Sequence, residues 1–204
     1  MNKNTRRFTL LSLFIAIEIV LAIVPFLGYI PLGVINATTL HIPVIIAGIL
    51  LGKKEGAIIG LVFGLTSIFQ NTMTPTATSF VFSPFITIGN ISGGWQSLLI
   101  ALVPRILIGY LAGLIYSNLE KKKVNNAFSI SISALIGSIV NTLLVMGGIY
   151  LFFGQPYAQA INVPYNTVIT FILGVIATNG IAEAIVAAIL SLAVCKIGKK
   201  MINL

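Results

Sequence analysis

Clusters of Lys and Arg alternate with long apolar segments in this 204-residue chain, and the alternation restricts the folds open to it. Six apolar segments lie at about 8–27, 34–51, 56–70, 97–118, 127–152 and 167–195. Basic residues precede the first segment, separate the second from the third and the fourth from the fifth, and follow the sixth. The other connections, at 28–33, 71–96 and 153–166, contain no Lys or Arg. The positive-inside rule therefore predicts six membrane spans with both termini in the cytoplasm.

The composition is that of an integral membrane protein. Apolar residues make up 57% of the chain and charged residues 8%, whereas soluble domains carry about 25% charged residues. The net charge of +8 lies at the segment ends, so it indicates membrane topology and a lipid bilayer partner rather than nucleic acid. The lone cysteine, Cys195, excludes an internal disulfide. We predict an all-α bundle of six transmembrane helices forming one membrane domain, 1–204, with the first segment retained rather than cleaved.

Glycine recurs at every fourth position from the second apolar segment into the third, at Gly48, Gly52, Gly56, Gly60 and Gly64. A four-residue spacing places these positions on one face of a helix. In a membrane such a face lets another helix approach closely, backbone against backbone. The smooth face at Gly56, Gly60 and Gly64 is therefore interpreted either as packing within the chain or as a docking surface for another protein.

Scarce polar residues within the apolar segments are the candidate functional groups, because ionisable residues inside membranes usually mark function. Arg105, His41, Asn141 and Asn179 come from four segments and are predicted to reach similar depths in the outer half of the membrane. Glu183 lies four residues after Asn179 and faces the same way on a helix. These residues predict a small polar pocket that opens outward and is covered by the long loop 71–96.

Each candidate residue has an alternative interpretation. Arg105 suits an anionic ligand, but it could instead pair internally with Glu183 or with Glu18 of the first segment. His41 is either a packing group or a ligand contact. Trp95 suits either the membrane interface or stacking on a ligand, and Asn90 is a further candidate contact in the loop. We also expect four loop aromatics to pack inward, namely Phe80, Phe82, Phe85 and Trp95.

Several motifs are missing from the sequence. It has no phosphate-binding G-x-x-x-x-G-K-[ST] motif, no Cys/His cluster for a metal, no H-E-x-x-H and no serine nucleophile elbow. It also lacks a run of intramembrane acids that would indicate ion coupling. We therefore predict no enzyme activity, no catalytic residues, no metal and no cofactor. The features are those of a membrane binding protein without its own energy source.

Two stretches resemble a known family. The segment TLHIPVIIAG at 39–48 with the glycines that follow, and the segment FSPF at 82–85, are similar to the S-components of energy-coupling-factor (ECF) vitamin transporters. The resemblance is greatest to the pantothenate-specific members, with riboflavin-specific members next. It implies a multi-subunit importer in the bacterial plasma membrane. In such an importer the S-component binds a vitamin from outside and docks on a transmembrane coupling subunit driven by two cytoplasmic ATPase subunits.

The resemblance also implies roles for individual residues. The family's A-x-x-x-A docking pair falls on Ser12 and Ala16, with Ser in place of the first Ala. The pantothenate carboxylate would meet Arg105, while its amide and hydroxyls would meet polar residues, namely Asn141, Asn179 and Thr38. Another vitamin such as riboflavin is the alternative substrate. A self-sufficient carrier coupled to protons through Glu18 and Glu183 is the alternative mechanism, and a membrane enzyme with sparse motifs is a third class.

Overall fold

The computed structural model describes residues 3–24, 28–32 and 35–202, and these residues are predominantly helical. The helices are α1 (Lys3–Ile23), α2 (His41–Leu51), α3 (Lys53–Met73), α4 (Trp95–Lys121), α5 (Asn126–Ala160), α6 (Val168–Val175) and α7 (Ile181–Ile202). A π-helical turn, Ile176–Gly180, joins α6 and α7 into one continuous run. Two short antiparallel hairpins add β1 (Tyr29–Leu32) with β2 (Ile35–Thr38), and β3 (Thr87–Ile88) with β4 (Ile91–Ser92).

The second predicted helix, 34–51, is wrong in its first third. Residues 35–38 form a strand paired with β1, in a register that places Tyr29 opposite Thr38, and helix begins only at His41. Pro43 lies in the first turn of α2, where its missing N–H costs no hydrogen bond. The first helix ends at Ile23 rather than at 27, and the predicted residues 25–27 and 34 fall outside the described part of the chain.

Helix α2 lies at the centre of the bundle. Its residues from His41 to Ile49 are all buried, and α1, α3, α4 and α7 surround it. A helix that is apolar on every side is stable only when enclosed in this way. With 11 residues α2 is shorter than the roughly 20 needed to cross a bilayer. By length and hydropathy, four described runs are long enough to cross, namely 53–73, 95–121, 126–160 and 165–200.

The glycine ladder of α3 packs against α4 of the same chain. Gly56, Gly60 and Gly64 are buried, and a Cβ at each would overlap the backbone of α4, near Gly109, Arg105 and Ala101 in that order. The missing side chains therefore let the two helix backbones approach closely. The burial of these three glycines against α4 favours packing within the chain over a docking surface for another protein.

The long loop 71–96 is more ordered than an open loop. Helix α3 continues to Met73, a 3₁₀ turn covers Ser79–Val81, and the β3–β4 hairpin precedes α4. Phe80 is fully buried in an apolar cluster with Ile149 and Phe153 of α5, as predicted. The inward packing predicted for Phe85 and Trp95 is wrong, because these side chains are 76% and 63% exposed.

Candidate functional site

A cavity of about 390 Å³ lies at the end of the bundle opposite the lysine clusters. This volume is within the range of small-molecule sites, about 300–1,000 Å³. Helices α3, α4, α5 and α7, the π turn, the loop after α3 and the end of β2 all contribute to its wall. Predicted and unpredicted residues share the lining, and the predicted ones are Thr38, Arg105, Asn141, Asn179 and Glu183.

Arg105 is positioned by the proline that precedes it. Pro104 lies inside α4 and has no N–H, so the carbonyl of Ile100 loses the donor that a regular helix would supply. The Nη1 atom of Arg105 donates a hydrogen bond to that carbonyl oxygen at 2.5 Å. The guanidinium is thus held close to its own helix, and Arg105 as a whole is only 7% exposed. A Pro-Arg pair in a membrane helix therefore both frees a carbonyl and satisfies it.

Two aromatic rings flank the same guanidinium. Its central carbon lies 5.5 Å from the ring centroid of Phe63 in α3 and 5.1 Å from that of Phe82 in the loop. Cation–π attraction is stronger where water is excluded, so the rings stabilise a buried cation. Arg105 is the only Lys or Arg among the described residues that line the cavity. The cavity therefore offers a preorganised, largely desolvated positive group.

Two asparagines enter the cavity from different helices. Asn141 of α5 is 7% exposed, and among the described residues its Oδ1 atom has no hydrogen-bond partner. Asn179 lies in the π turn, where its Oδ1 accepts a hydrogen bond from Thr178 at 3.3 Å. Single π turns inside α-helices occur frequently at functional sites. This turn sets which residues of the α6–α7 run face the cavity.

Glu183 joins the first hairpin to α7 at the edge of the cavity. Its Oε1 accepts a hydrogen bond of 2.8 Å from the backbone N–H of Thr38. His41 is 2% exposed and its ring lies beside the backbone of Thr38 and Glu183, but it does not line the cavity. Glu18 is also fully buried outside the lining, so of the two predicted internal partners only Glu183 shares the cavity with Arg105.

Two loop candidates lie away from the cavity. Asn90 is exposed beside Gly89, whose φ of +60° makes the tight turn of the β3–β4 hairpin. Trp95 begins α4 and packs edge-to-face on Phe152, with ring centroids 6.0 Å apart, on the outside of the bundle. Neither residue lines the cavity in this conformation, so their assignment as ligand contacts stays a prediction. The exposed Trp95 fits the membrane-interface alternative.

Several lining residues were missed by the sequence prediction. Ser67 lies inside the predicted third helix, and Asn71 faces the cavity because α3 extends past residue 70, where the prediction ended it. Their spacing of four was the available signal, since it places both on one helix face. Tyr157 reaches the cavity from beyond a kink in α5 at Phe153, three residues before Pro156. The remaining polar lining residues that were missed are Thr76, Thr78 and Thr142.

A hydrogen-bond network attaches the loop to α3 beside the cavity. The Asn71 Nδ2 donates to the backbone oxygen of Ser67 at 2.8 Å, and the Asn71 Oδ1 accepts from the Ser79 hydroxyl at 2.7 Å. The same Ser79 oxygen accepts from the backbone N–H of Thr76 at 2.9 Å. One asparagine side chain therefore connects the end of α3 to the part of the loop that covers the cavity.

The sequence matches a known family over most of its length. Residues 6–195 match the model of the family described as ECF transporter, substrate-specific component. The chain belongs to this family. It is therefore a transport protein rather than an enzyme, and a multi-pass protein of the bacterial cell membrane.

Two relatives of this chain are both named as pantothenate transporters. The pantothenic acid transporter PanT of Lactococcus lactis subsp. cremoris is 38% identical over 188 residues, covering 91% of this chain and 89% of that protein. The pantothenate transporter PanT of Leuconostoc mesenteroides subsp. mesenteroides is 28% identical over 199 residues, covering 95% of this chain and 92% of that protein.

Among solved structures, the S-component for biotin from an ECF-type ABC transporter matches with a TM-score of 0.59 at 21% identity. That match covers 96% of this chain and 95% of the solved one, and it shows that the S-component fold is shared.

Proposed function

We propose that this S-component binds pantothenate in the cavity that contains Arg105. Both named relatives are pantothenate transporters. The single observation that carries the proposal is the buried guanidinium of Arg105, the one Lys or Arg among the described lining residues. A planar guanidinium suits a carboxylate, which is the only charged group of pantothenate.

The remainder of the cavity suits the remainder of the molecule. The unpartnered Oδ1 of Asn141 can accept a hydrogen bond from the amide N–H or a hydroxyl of the ligand. Asn179, Thr142 and Ser67 supply further donors and acceptors. Apolar wall residues provide space for the geminal methyl groups, and these are Val145, Met146 and Ile149. Phe63 and Phe82 already flank Arg105, so they leave less aromatic surface for a flavin ring.

The test compares pantothenate with its alcohol analogue, pantothenol, by titration calorimetry on the purified chain. Pantothenol has a CH₂OH group in place of the carboxylate, so the comparison isolates the charged contact. A hydrogen bond to a charged group contributes about 1.5–3 kcal/mol, so pantothenate should bind roughly 10- to 150-fold more tightly. The Arg105→Gln variant should lose this preference. Arg105→Lys, which keeps the charge but not the planar fork, should retain part of it.

Other outcomes would overturn the proposal in defined ways. Equal affinity for pantothenate and pantothenol in the unaltered chain would contradict the carboxylate contact. Tight binding of riboflavin without binding of pantothenate would contradict the substrate and leave the family membership intact. Uptake of pantothenate by the chain alone in liposomes under a pH gradient would favour a proton-coupled carrier over a binding subunit.

We further propose the topology and the partners of an ECF importer for this chain. Six spans with cytoplasmic termini would put the lysine clusters in the cytoplasm and the cavity toward the outside. The chain would then pass its ligand inward with a transmembrane coupling subunit and two cytoplasmic ATPase subunits. Ser12 and Ala16 support α1 as the docking helix, because both are exposed and separated by one turn.

A further inference from the structure

A second recess lies at the opposite end of the bundle, where α4, α5 and α7 meet. It is an open groove of about 900 Å³. Helix α7 contributes Lys196, Lys199 and Lys200 to its lining, and α4 contributes Glu120 as the only acid there among the described residues. Three ammonium groups facing one carboxylate leave the groove positively charged.

The floor of the groove is a fixed polar cluster. Lys199 Nζ forms an ion pair with Glu120 Oε1 at 2.8 Å and lies over the ring of Tyr116, 4.2 Å from its centroid. The Tyr116 hydroxyl lies within hydrogen-bond distance of Glu120 Oε1, at 3.0 Å, and of Asn126 Oδ1, at 2.8 Å. Lys199 is therefore committed to joining α7 to α4 and α5. The charge of Glu120 is largely compensated by this contact.

Lys196 and Lys200 remain available to bind a ligand. They are four residues apart on one face of α7, both are exposed, and neither forms an ion pair within the described ranges. The first amides of α5 contribute little to the groove, because the Asn125 side chain accepts hydrogen bonds from Ala127 and Phe128. An anion in the groove would therefore be bound mainly by the two lysines.

The sides of the groove are apolar and face outward. Val124 and Ile197 line the groove, and Ile197 is 64% exposed; Phe128, in the first turn of α5, is 58% exposed. Val194, one turn before Gly198 on α7, is also 45% exposed. A soluble anion gains nothing from these side chains, whereas a lipid would place its headgroup among the lysines and its acyl chains along α7. Basic recesses between membrane helices are typical sites for anionic headgroups.

We propose that this groove binds the phosphate group of an anionic membrane lipid. The assignment to the cytoplasmic leaflet depends on the topology proposed above. The headgroup phosphate would contact Lys196 and Lys200, above the cluster of Lys199, Glu120 and Tyr116. Because the groove lies at the opposite end from the Arg105 cavity, lipid binding and ligand binding are separable.

Native mass spectrometry of the purified full-length chain tests this with phosphatidylglycerol and phosphatidylcholine of identical acyl chains. The chain should retain phosphatidylglycerol in preference. The Lys196→Gln/Lys200→Gln variant should lose the preference, with about 5-fold weaker retention for each lysine removed. Lys53→Gln/Lys54→Gln, which removes the same charge from the first turn of α3, is the matched control and should behave as the unaltered chain.

Three results would overturn the proposal. These are equal retention of the two lipids, equal loss in both double variants, and a rise in Tm with inorganic phosphate as large as that with phosphatidylglycerol. Pantothenate affinity, measured on the same samples, should be the same in all variants. A chain that retains phosphatidylglycerol but binds no pantothenate would contradict the proposed substrate and leave the lipid site supported.

Discussion

Gly60 of α3 lies directly against the carbonyl oxygen of Arg105 in α4. A Cβ atom added to Gly60 would overlap that oxygen and the carbonyl carbon behind it. The contact links the most regular pattern in the sequence, the glycine ladder, to the one cation in the described lining of the cavity. Close helix packing at this point therefore sets the backbone position from which the guanidinium reaches the cavity.

We expect Gly60→Ala to weaken ligand binding as well as stability. The new methyl group must push α3 and α4 apart, and overpacking of this kind costs about 1–3 kcal/mol. The displacement should also move Arg105 and lower pantothenate affinity. Gly147→Ala in α5 is the matched control, because a Cβ there would meet nothing within 4 Å. Thermal unfolding and calorimetric titration of both variants check the expectation, and equal behaviour of the two would contradict it.

Replacing Asn141 by Leu should change stability and binding in opposite directions. The buried Oδ1 of Asn141 has no partner in the described structure, so an apolar side chain of similar size should leave the unliganded chain as stable or more stable. Pantothenate should bind about 2- to 10-fold more weakly, since one hydrogen bond contributes about 0.5–1.5 kcal/mol. Tm without ligand and Kd are the two measurements. A lower Tm with unchanged Kd would indicate a structural role instead.

Asn71→Ala should accelerate ligand release. The substitution removes the hydrogen bond from Ser79 and so weakens the attachment of the loop to the end of α3, where the contact between the Thr72 and Ser83 hydroxyls remains. Stopped-flow measurement should show a several-fold higher dissociation rate with a smaller change in the association rate. Thr87→Val removes a comparable hydrogen bond, to Ser92 at 3.0 Å in the exposed hairpin, and serves as the control. Identical rates in Asn71→Ala and Thr87→Val would contradict a covering role for the loop.

The sequence predicted the chemistry of the cavity better than its shape. Arg105, Asn141, Asn179 and Glu183 could be selected because polar groups are rare in apolar segments, and helices brought all four together. Contacts from the loop could not be predicted in this way. Which side of a short hairpin faces inward depends on its turn, and the exposed position of Asn90 follows from the turn at Gly89.

The sequence pattern also could not predict where the helices end or which role the glycines have. The apolar run 34–51 gives no sign that residues 35–38 pair as a strand, because a short apolar strand and a buried helix segment have the same composition. A ladder at Gly56, Gly60 and Gly64 has the same spacing whether the neighbouring helix belongs to the same chain or to another. Only the position of α4 decides between them, and it favours packing within the chain.

Cysteine labelling tests the proposed topology directly. The native thiol of Cys195 is fully buried, so it adds little background, and Cys195→Ala removes it entirely. In that background, Asn90→Cys lies at the exposed β3–β4 hairpin, and Lys122→Cys lies at the exposed α4–α5 turn. A membrane-impermeant maleimide applied to intact cells should label the first variant and spare the second. The opposite pattern would indicate the inverse orientation in the membrane, and labelling of both variants would contradict the proposed topology.

Ala16→Leu should weaken partner association without affecting ligand binding. Ser12 and Ala16 form a small, exposed strip on α1, where a bulky side chain would keep a neighbouring helix at a distance. The chain co-expressed with its coupling subunit and ATPases should co-purify in reduced yield, while the Kd for pantothenate of the isolated chain stays unchanged. Ala193→Leu, at an exposed position on α7, is the matched control. Normal co-purification of Ala16→Leu would exclude this strip of α1 as the docking surface, and because the glycines of α3 are buried, docking would then have to use another exposed face.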